Sequence, residues 1–357
     1  QPQIVCRQSR MFTVATGRNL DSVAAMDDPL PSSLQPAYKN RRAGLIVFGV
    51  LEILLGAMCG LFIPLVIFGQ AMAARHQGAA KVPSLLPVVL VYGFIAIVFV
   101  TLGIGSVRCR RWARALLLCI GWIGLCVGIF SLPVMWFALD GLGQQLAAQG
   151  RSVPPGVLVF VKIFAAATSL LIYILIPGAL VLFYRSRQVR LTCEALDPVP
   201  SWTDRCPIPV LCLCVLTAFG SLSVFATLFM YGAAFPMFGT IVQGWAARLL
   251  WIAVAAFMGG ATLGLFRLKR STWLAFTGVM LGLMISNFLT FSKVTIIDFY
   301  RAAGMPDTEI QMVSQNPLIA NQAFILAIMG ISGALYIGYL VLIGRYFPKT
   351  TNPPLAA

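Results

Sequence analysis

The chain has very little charge for its length, and little of that charge is acidic. Only 10% of its 357 residues are charged, with 11 Asp and Glu against 26 Lys and Arg, while 59% are hydrophobic. A soluble domain of this size cannot cover its surface with so few polar side chains. The composition therefore excludes a soluble globule and indicates a chain whose surface meets lipid.

Residues that build enzyme and metal sites are also scarce. The chain has one histidine, His76, and it lacks HExxH, Walker A and GxSxG sequences and any cluster of acidic residues. Its nine cysteines fall mostly in or beside apolar segments and do not form a disulfide framework. The spacing of Cys193, Cys206, Cys212 and Cys214 does not fit a zinc site. We predict a protein that is not an enzyme and binds neither a metal nor a cofactor.

Long apolar runs fill most of the chain. Each can cross a hydrocarbon core of about 30 Å, which takes roughly 20 helical residues. Because the runs are continuous rather than alternating, they predict helices and not the strands of a barrel. The sequence predicts an all-α integral membrane protein with eight transmembrane helices. They cover 44–69, 85–106, 112–139, 157–184, 210–238, 249–266, 273–291 and 324–343.

Basic residues near the predicted helix ends concentrate on one side of the membrane. The richer side holds sixteen: Lys39, Arg41, Arg42, Arg108, Arg110, Arg111, Arg114, Arg185, Arg187, Arg190, Arg205, Arg267, Lys269, Arg270, Arg345 and Lys349. The other side holds seven: Arg75, Lys81, Arg151, Lys162, Arg248, Lys293 and Arg301. This excess predicts that the richer side is cytoplasmic and that both termini lie there. The predicted partners are the lipid bilayer and anionic headgroups on that face, with no nucleic acid and no protein partner yet identifiable.

Short sequence patterns recur in the same order in both halves of the chain. They are Met-x-Gly-x-x-x-Pro at 58–64 and 230–236, Thr-Leu-Gly followed by Trp at 101–112 and 262–273, and a Gly-to-Arg stretch at 178–185 and 338–345. These matches predict an internal duplication. Each repeat has four helices and starts on the same side, so the two repeats are parallel.

The chain divides into five predicted segments. They are a disordered cytoplasmic tail at 1–40, a first four-helix repeat at 41–184, a cytoplasmic Pro-rich connector at 185–208, a second repeat at 209–347 and a C-terminal tail at 348–357. Residues 1–25 do not look like a secretory signal. One interpretation is that translation starts at Met26 and that residues 1–25 are not translated.

Glu52 is the only acidic residue well inside a predicted helix. Intramembrane carboxylates commonly couple protons or cations, so Glu52 is the first candidate for a coupling or substrate residue. The alternative is that its side chain reaches the cytoplasmic rim and pairs with Arg42 or Arg108. Two further candidates are Lys162 and Asn287. The alternatives, favoured for Lys162, are a lysine side chain that extends outward to water and a polar side chain that joins helices by a hydrogen bond.

Glycine and proline mark possible flexible points at matching places in the two halves. Gly60 and Pro64 in the first, and Gly232 and Pro236 in the second, are candidate hinges because both residue types bend helices. A rocking motion of one half against the other fits this placement. Kinked helices in a static bundle fit it as well.

The connector has no counterpart elsewhere in the chain. Its prolines exclude one continuous helix, Trp202 suits the headgroup level, and Glu194, Asp197 and Asp204 can pair with neighbouring arginines. Arg205 is a further candidate functional residue of the connector, beside these four. A stiff strap that locks the two halves is one interpretation, and a loop that docks a partner or senses a ligand is the other.

The architecture favours a transporter or permease for a small solute or an ion, with its pathway between the two repeats. The alternative is a non-enzymatic scaffold, assembly or sensor protein that acts through the connector, and a lipid-processing enzyme ranks third. We expect a multi-pass protein of the cell membrane, of the kind found in a bacterial inner membrane.

Overall fold

The computed structural model describes residues 39–77, 85–148, 155–229, 233–314, 316, 319 and 321–348. Eight helical segments within these ranges are long and apolar enough to cross a membrane. They are Arg42–Met72, Leu86–Val107, Arg111–Pro133, Gly156–Arg185, Ile208–Thr227, Gly244–Phe266, Arg270–Lys293 and Gln322–Tyr346. The predicted polytopic membrane architecture is confirmed at this level. Met26 and most of the two predicted tails lie outside the described residues.

The first half consists of four spans in five helices. They are α1 (Arg42–Gln77), α2 (Leu86–Val107), α3 (Arg111–Ala148), α4 (Pro155–Leu170) and α5 (Ile176–Arg185). A π-helical turn at Leu171–Leu175 joins α4 to α5. Pro177 cannot donate a main-chain hydrogen bond to Tyr173, which favours a widened turn at this point. Gly128 of α3 lets the freed Tyr173 carbonyl approach the backbone of α3.

The connector is partly helical. It forms α6 (Arg187–Leu196) and a 3₁₀ turn at Trp202–Arg205. Pro198 and Pro200 separate the two, as the sequence predicted. Ser201 begins the 3₁₀ turn with a reciprocal cap, in which its own main-chain amide donates to the Asp204 carboxylate at 2.9 Å.

The described part of the second half includes four spans, a hairpin and two short helices. Its elements are α7 (Ile208–Thr227), β1 (Ala234–Met237), β2 (Thr240–Gln243), α8 (Gly244–Phe266), α9 (Arg270–Lys293), α10 (Ile296–Ala302), α11 (Asp307–Ser314) and α12 (Gln322–Ile343). A 3₁₀ turn at Gly344–Tyr346 follows α12. We call the side of the bundle where helix ends contact the connector the connector end.

The hairpin corrects two predictions. The chain is not all-α, and the fifth transmembrane helix ends at Thr227 instead of Phe238. The two strands pair antiparallel, with Ala234 opposite Gln243. Between the strands the chain turns through positive φ angles of 43° at Phe238 and 95° at Gly239, which a helix does not allow.

Two side chains of α9 hold the hairpin in place. Ser286 Oγ accepts a hydrogen bond from the Phe238 amide at 3.0 Å and donates one to the Pro236 carbonyl at 3.1 Å. Thr290 Oγ1 accepts from the Gly239 amide at 3.0 Å. These bonds satisfy backbone groups that a helix would have paired internally. Pro236 is therefore a strand residue, and its prediction as a helix hinge is wrong.

Glycine allows α1 and α2 to touch along their backbones. A methyl group on Gly49 would lie 2.7 Å from the carbonyl oxygen of Gly103, and one on Gly56 would lie 2.9 Å from the carbonyl of Ala96. Neither position can hold a larger side chain without moving a helix. The opposite side of α1 carries exposed apolar residues, among them Leu61 at 68% exposure, so α1 lies at the edge of the bundle.

The two halves meet where α3 packs on α7. Ala115 and Cys119 of α3 belong to one buried apolar cluster with Leu211 and Leu213 of α7. The Cys119 thiol also points at the carbonyl of Ile208, 3.8 Å away. The contact between the halves at this level is thus apolar and closely packed.

The turns that follow α2 and α8 have the same backbone conformation. In each, one residue other than glycine adopts a φ of 54°, Cys109 in the first and Leu268 in the second. In each, the next amide donates back to a glycine carbonyl five residues earlier, which is the Schellman arrangement of a helix end. These bonds join Arg110 N to Gly105 O at 2.9 Å and Lys269 N to Gly264 O at 3.0 Å.

The matching turns and the sequence matches align the two halves differently. By turn geometry Gly105 is equivalent to Gly264, whereas the Thr-Leu-Gly match pairs Gly103 with Gly264. A methyl group on Gly105 would lie 2.7 Å from Ala113 Cβ, and one on Gly264 would overlap Thr272. At both positions the absence of a side chain therefore lets the next helix pass close to the turn.

Candidate functional site

Glu52 is buried on the inner side of α1. It lies ten residues past the start of the helix, about 15 Å along its axis. Only 3% of its surface is exposed. Its hydrogen-bond partner Tyr184 belongs to α5, and Ser106 of α2 contacts Tyr184 in turn, so the site lies inside the first half. Burial of a carboxyl group at this depth is costly unless hydrogen bonds or a lost charge offset it.

A chain of hydroxyl groups leads away from this carboxyl group. The Tyr184 hydroxyl oxygen lies 3.4 Å from Glu52 Oε1 and 2.7 Å from Ser106 Oγ. Ser106 Oγ in turn lies 3.0 Å from the main-chain carbonyl oxygen of Leu45. The second carboxyl oxygen, Glu52 Oε2, is buried without a hydrogen-bond partner among the described residues.

No cation neutralises Glu52 within the described part of the chain. The predicted alternative partners Arg42 and Arg108 form no ion pair with it there. Arg114 reaches the same cluster, but its guanidinium donates to the main-chain oxygen of Tyr184 at 3.1 Å. Glu52 is thus held by a tyrosine hydroxyl instead of by an arginine.

The hydrogen bonds of this chain can be donated in either of two directions. When Glu52 carries a proton, it can donate to Tyr184, which donates to Ser106, which donates to the Leu45 carbonyl. When Glu52 is ionised, Ser106 can donate to Tyr184 and Tyr184 to the carboxylate, which leaves the Leu45 carbonyl without this bond. Each hydroxyl has one proton to give, so gain or loss of a proton at Glu52 reverses the chain.

Aromatic rings separate this site from the connector end. The rings of Phe48 and Phe183 stack with centroids 4.5 Å apart, and Phe183 meets the Tyr184 ring edge-on at 5.2 Å. Gly44 leaves the space that the Phe183 ring occupies, since a methyl group there would lie 2.6 Å from the ring. The site is therefore enclosed by apolar surface, which strengthens every electrostatic interaction inside it.

The other two predicted coupling or substrate residues lie elsewhere. Lys162 is half-buried on α4. Asn287 is on α9 and donates to the Leu283 carbonyl at 2.8 Å. It lines an open, mainly apolar groove of about 580 Å³ between α9 and α12, whose polar lining also includes Ser332 and Tyr336. The structure does not gather Glu52, Lys162 and Asn287 into one site.

The candidate hinge residues have different surroundings. Gly60 and Pro64 lie within α1, which is helical without interruption from Arg42 to Gln77. A methyl group on Gly60 would make only one distant contact, 3.9 Å from Ala96 Cβ. Gly232 lies outside the described residues. Of the four predicted hinge residues, only Gly60 and Pro64 therefore lie in a described helix.

The connector acids pair with arginines, as predicted. Asp197 accepts from the Arg110 guanidinium at 3.1 Å and from the Arg111 amide at 3.2 Å. Asp204 lies 3.5 Å from the Arg111 guanidinium, and the remaining pair, Arg190 with Glu194, spans one turn of α6 at 2.8 Å. This last contact raises the pKa of Arg190. The connector is fastened to the turn between α2 and α3.

Two more features of the connector bear on its role. The Trp202 ring is about half exposed, at 48%, and lies 5.6 Å from the Phe266 ring at the end of α8, while Arg205 is exposed beside it. Cys193 is a fully buried residue of α6, and desolvation raises the pKa of its thiol to about 12. The connector therefore contacts both halves and buries one of its own thiols, which stays protonated.

Sequence reasoning missed Tyr184 and Ser106. Both are single polar residues in the last turns of apolar spans, a pattern too common to point to a site. Only the packing of α1 against α2 and α5 brings them to Glu52. No group of three or more His, Cys, Asp or Glu that could hold a metal ion occurs among the residues that the structure describes.

Comparison with known proteins gives no relative for this arrangement. No family model, no curated protein and no solved structure matches the chain.

Proposed function

We propose that the protein is a proton-coupled transporter or permease for a small solute or an ion, in which Glu52 takes up and releases the proton. The observation that carries this proposal is the Glu52 site itself. A carboxyl group with 3% exposure, one unpartnered oxygen and a reversible hydroxyl chain is suited to bind a proton in one state and lose it in another.

Helix α2 links the proton site to the boundary between the halves. It carries Ser106 on the side facing Glu52, and it also contacts α7. Phe94 of α2 and Phe219 of α7 have ring centroids 6.4 Å apart. In the proposal, reversal of the hydroxyl chain shifts α2 against α7, and the solute passes along the boundary between the two halves. Gly60 and Pro64 are where α1 would bend to follow.

The orientation and the internal repeat belong to the same proposal. Basic side chains gather at the connector end, which supports a cytoplasmic position for that end and for both termini. The matching turns after α2 and α8 support two parallel four-helix repeats. A repeat of this kind would make the boundary between the halves the natural pathway.

Proton flux in liposomes tests the proposal. The purified protein is reconstituted with a pH-sensitive dye inside, and ions, amino acids, sugars and nucleotides are added outside one at a time. We expect one class of solute to drive proton movement in the wild-type protein and none to do so in Glu52→Gln, which cannot exchange a proton. Tyr184→Phe keeps the carboxyl group but loses the relay, so its flux should fall about tenfold, the equivalent of one lost hydrogen bond.

The matched control is Glu194→Gln, which neutralises a connector carboxyl group far from the site. Its flux should equal that of the wild type. Proton movement in Glu52→Gln at the wild-type rate contradicts the proposal, provided that all variants reconstitute in equal amounts.

A second function is favoured by a different observation. Leu196, Val199 and Trp202 leave 49%, 70% and 48% of their surfaces exposed on the connector, an apolar strip outside the membrane-spanning segments. This strip supports a scaffold, assembly or sensor protein that holds a partner at the connector. Wild-type liposomes that move no proton with any solute would favour this function over transport.

A further inference from the structure

The turn between α2 and α3 and the turn between α8 and α9 carry the same basic pattern. Each has a basic residue just after the helix, a second two positions later and a third directly after that. In the first turn these are Arg108, Arg110 and Arg111, and in the second they are Arg267, Lys269 and Arg270. Because the two backbones match, each turn presents its three cations at equivalent positions.

The connector neutralises only the first of these turns. Asp197 and Asp204 pair with Arg110 and Arg111 there. In the second turn, no carboxylate from the described residues pairs with Arg267, Lys269 or Arg270. The first two are exposed and the third is half-buried. The α8–α9 turn therefore presents three positive charges to whatever lies at the surface of the membrane.

A groove begins directly beside this second turn. It has a volume of about 430 Å³ and runs between α8 and α9. Its lining residues are small or apolar apart from two hydroxyl groups next to Arg270, and they comprise Phe257, Gly260, Ala261, Ser271, Thr272 and Ala275. Gly260 keeps the groove open, because a methyl group there would touch nothing within 4 Å.

We propose that the α8–α9 turn and groove form a binding site for one anionic phospholipid, with its phosphate on Arg267, Lys269 and Arg270 and an acyl chain in the groove. Charge complementarity argues for this occupant, because three unneutralised cations at a membrane surface attract anionic headgroups at about 1 kcal/mol each. The groove supplies the apolar contact that a soluble anion cannot use. The site is independent of Glu52 and of transport.

The test is native mass spectrometry of the full-length protein released from nanodiscs of mixed phosphatidylglycerol and phosphatidylcholine. The wild type should retain one phosphatidylglycerol in preference to phosphatidylcholine. A variant with Arg267→Gln, Lys269→Gln and Arg270→Gln should bind phosphatidylglycerol about a hundredfold more weakly, from about fivefold for each charge removed. Gly260→Leu should also lose the lipid, although it keeps all three charges, because its side chain fills the groove.

Two matched variants control for charge and for size. Arg108→Gln, Arg185→Gln and Arg187→Gln together remove three exposed charges from the first half and the connector and should leave lipid retention unchanged. Gly338→Leu adds a leucine at another open glycine, on α12, and should also retain the lipid.

Three results would overturn the proposal. The first is equal retention of phosphatidylglycerol by the α8–α9 triple variant and the wild type. The second is unchanged retention in Gly260→Leu. The third is a protein dimer in place of a bound lipid, which would assign the groove to a second copy of the chain. Inorganic phosphate added alone should neither bind detectably nor displace the lipid, since it lacks an acyl chain.

Discussion

The two halves of the bundle contain the same kind of turn but complete it with different partners. After α2, the basic side chains meet the connector acids Asp197 and Asp204. After α8, basic side chains on the same backbone face outward beside an open groove. The comparison shows that backbone likeness does not fix the role of a turn. Its role depends on which charges the rest of the chain brings to it.

A second difference concerns how the first two helices of each half pack. In α1 and α2, glycine faces backbone across the contact, so the helices cannot separate or rotate without losing many contacts. In α7, Gly220 faces the flexible end of the Met258 side chain on α8. The contact between α1 and α2 is therefore packed more tightly than the contact at Gly220 between α7 and α8.

The largest expected effect tests this difference in helix packing. Gly49→Ala places a methyl group 2.7 Å from the Gly103 carbonyl and 2.8 Å from Val107, so unfolding free energy should fall by about 1–3 kcal/mol. Gly220→Ala meets only the end of Met258, which can move aside, and should cost under about 1 kcal/mol. The measurement is equilibrium unfolding in mixed micelles with increasing SDS. Equal losses in the two variants would remove the distinction between the halves.

An intermediate effect concerns the hairpin, which follows a 20-residue α7 where the first half has a 36-residue α1. Ser286→Ala deprives the Phe238 amide and the Pro236 carbonyl of their partner, which should cost about 1–2 kcal/mol in the same unfolding experiment. Ser292→Ala, on the exposed side of α9, is the control and should cost almost nothing. If the hairpin does not depend on α9, Ser286→Ala and Ser292→Ala would lower the unfolding free energy by the same amount.

The smallest expected effect concerns the connector. Asp197→Asn weakens a partly exposed ion pair with Arg110, worth about 0.5–1 kcal/mol, so the connector should open about two- to fivefold more often. Cys193 reports each opening. Its buried thiol, with a pKa near 12, does not react at pH 8, whereas an exposed thiol of ordinary pKa is partly ionised and is alkylated.

The alkylation rate of Cys193, followed by mass spectrometry at pH 8, should rise by the same two- to fivefold factor. Asp298→Asn on α10 removes a carboxylate that pairs within its own helix and should leave the rate at the wild-type value. An unchanged rate in Asp197→Asn would mean that other contacts hold the connector closed.

The sequence predicted the spans well because crossing a membrane demands long apolar helices, and this demand is visible residue by residue. It failed between Thr227 and Phe238 for the same reason. That stretch is as apolar as a helix, and only the tertiary bonds to Ser286 and Thr290 make a hairpin the better way to satisfy its backbone. The internal repeat stays a prediction, because the sequence matches and the two matching turns align the halves with offsets that differ by two residues.

The candidate site was predicted in part. Glu52 stood out because a carboxyl group deep in an apolar helix needs an explanation. Its partners did not, because Ser106 and Tyr184 reach it from helices that are distant in sequence, by 54 and 132 residues. The connector ion pairs were predictable, since acids among many arginines find partners in almost any compact arrangement.

The connector also sets an order of events during synthesis. The amides of Lys39 and Arg41, at the start of α1, donate to side chains of Gln188 and Thr192 at 2.8 and 3.1 Å, across 149 and 151 residues of chain. At roughly 5–20 residues per second, a ribosome makes those acceptors roughly 7–30 s after the donors. The amides of Lys39 and Arg41 therefore lack these two acceptors until the whole first half has been synthesised, at a time when most of the second half does not yet exist.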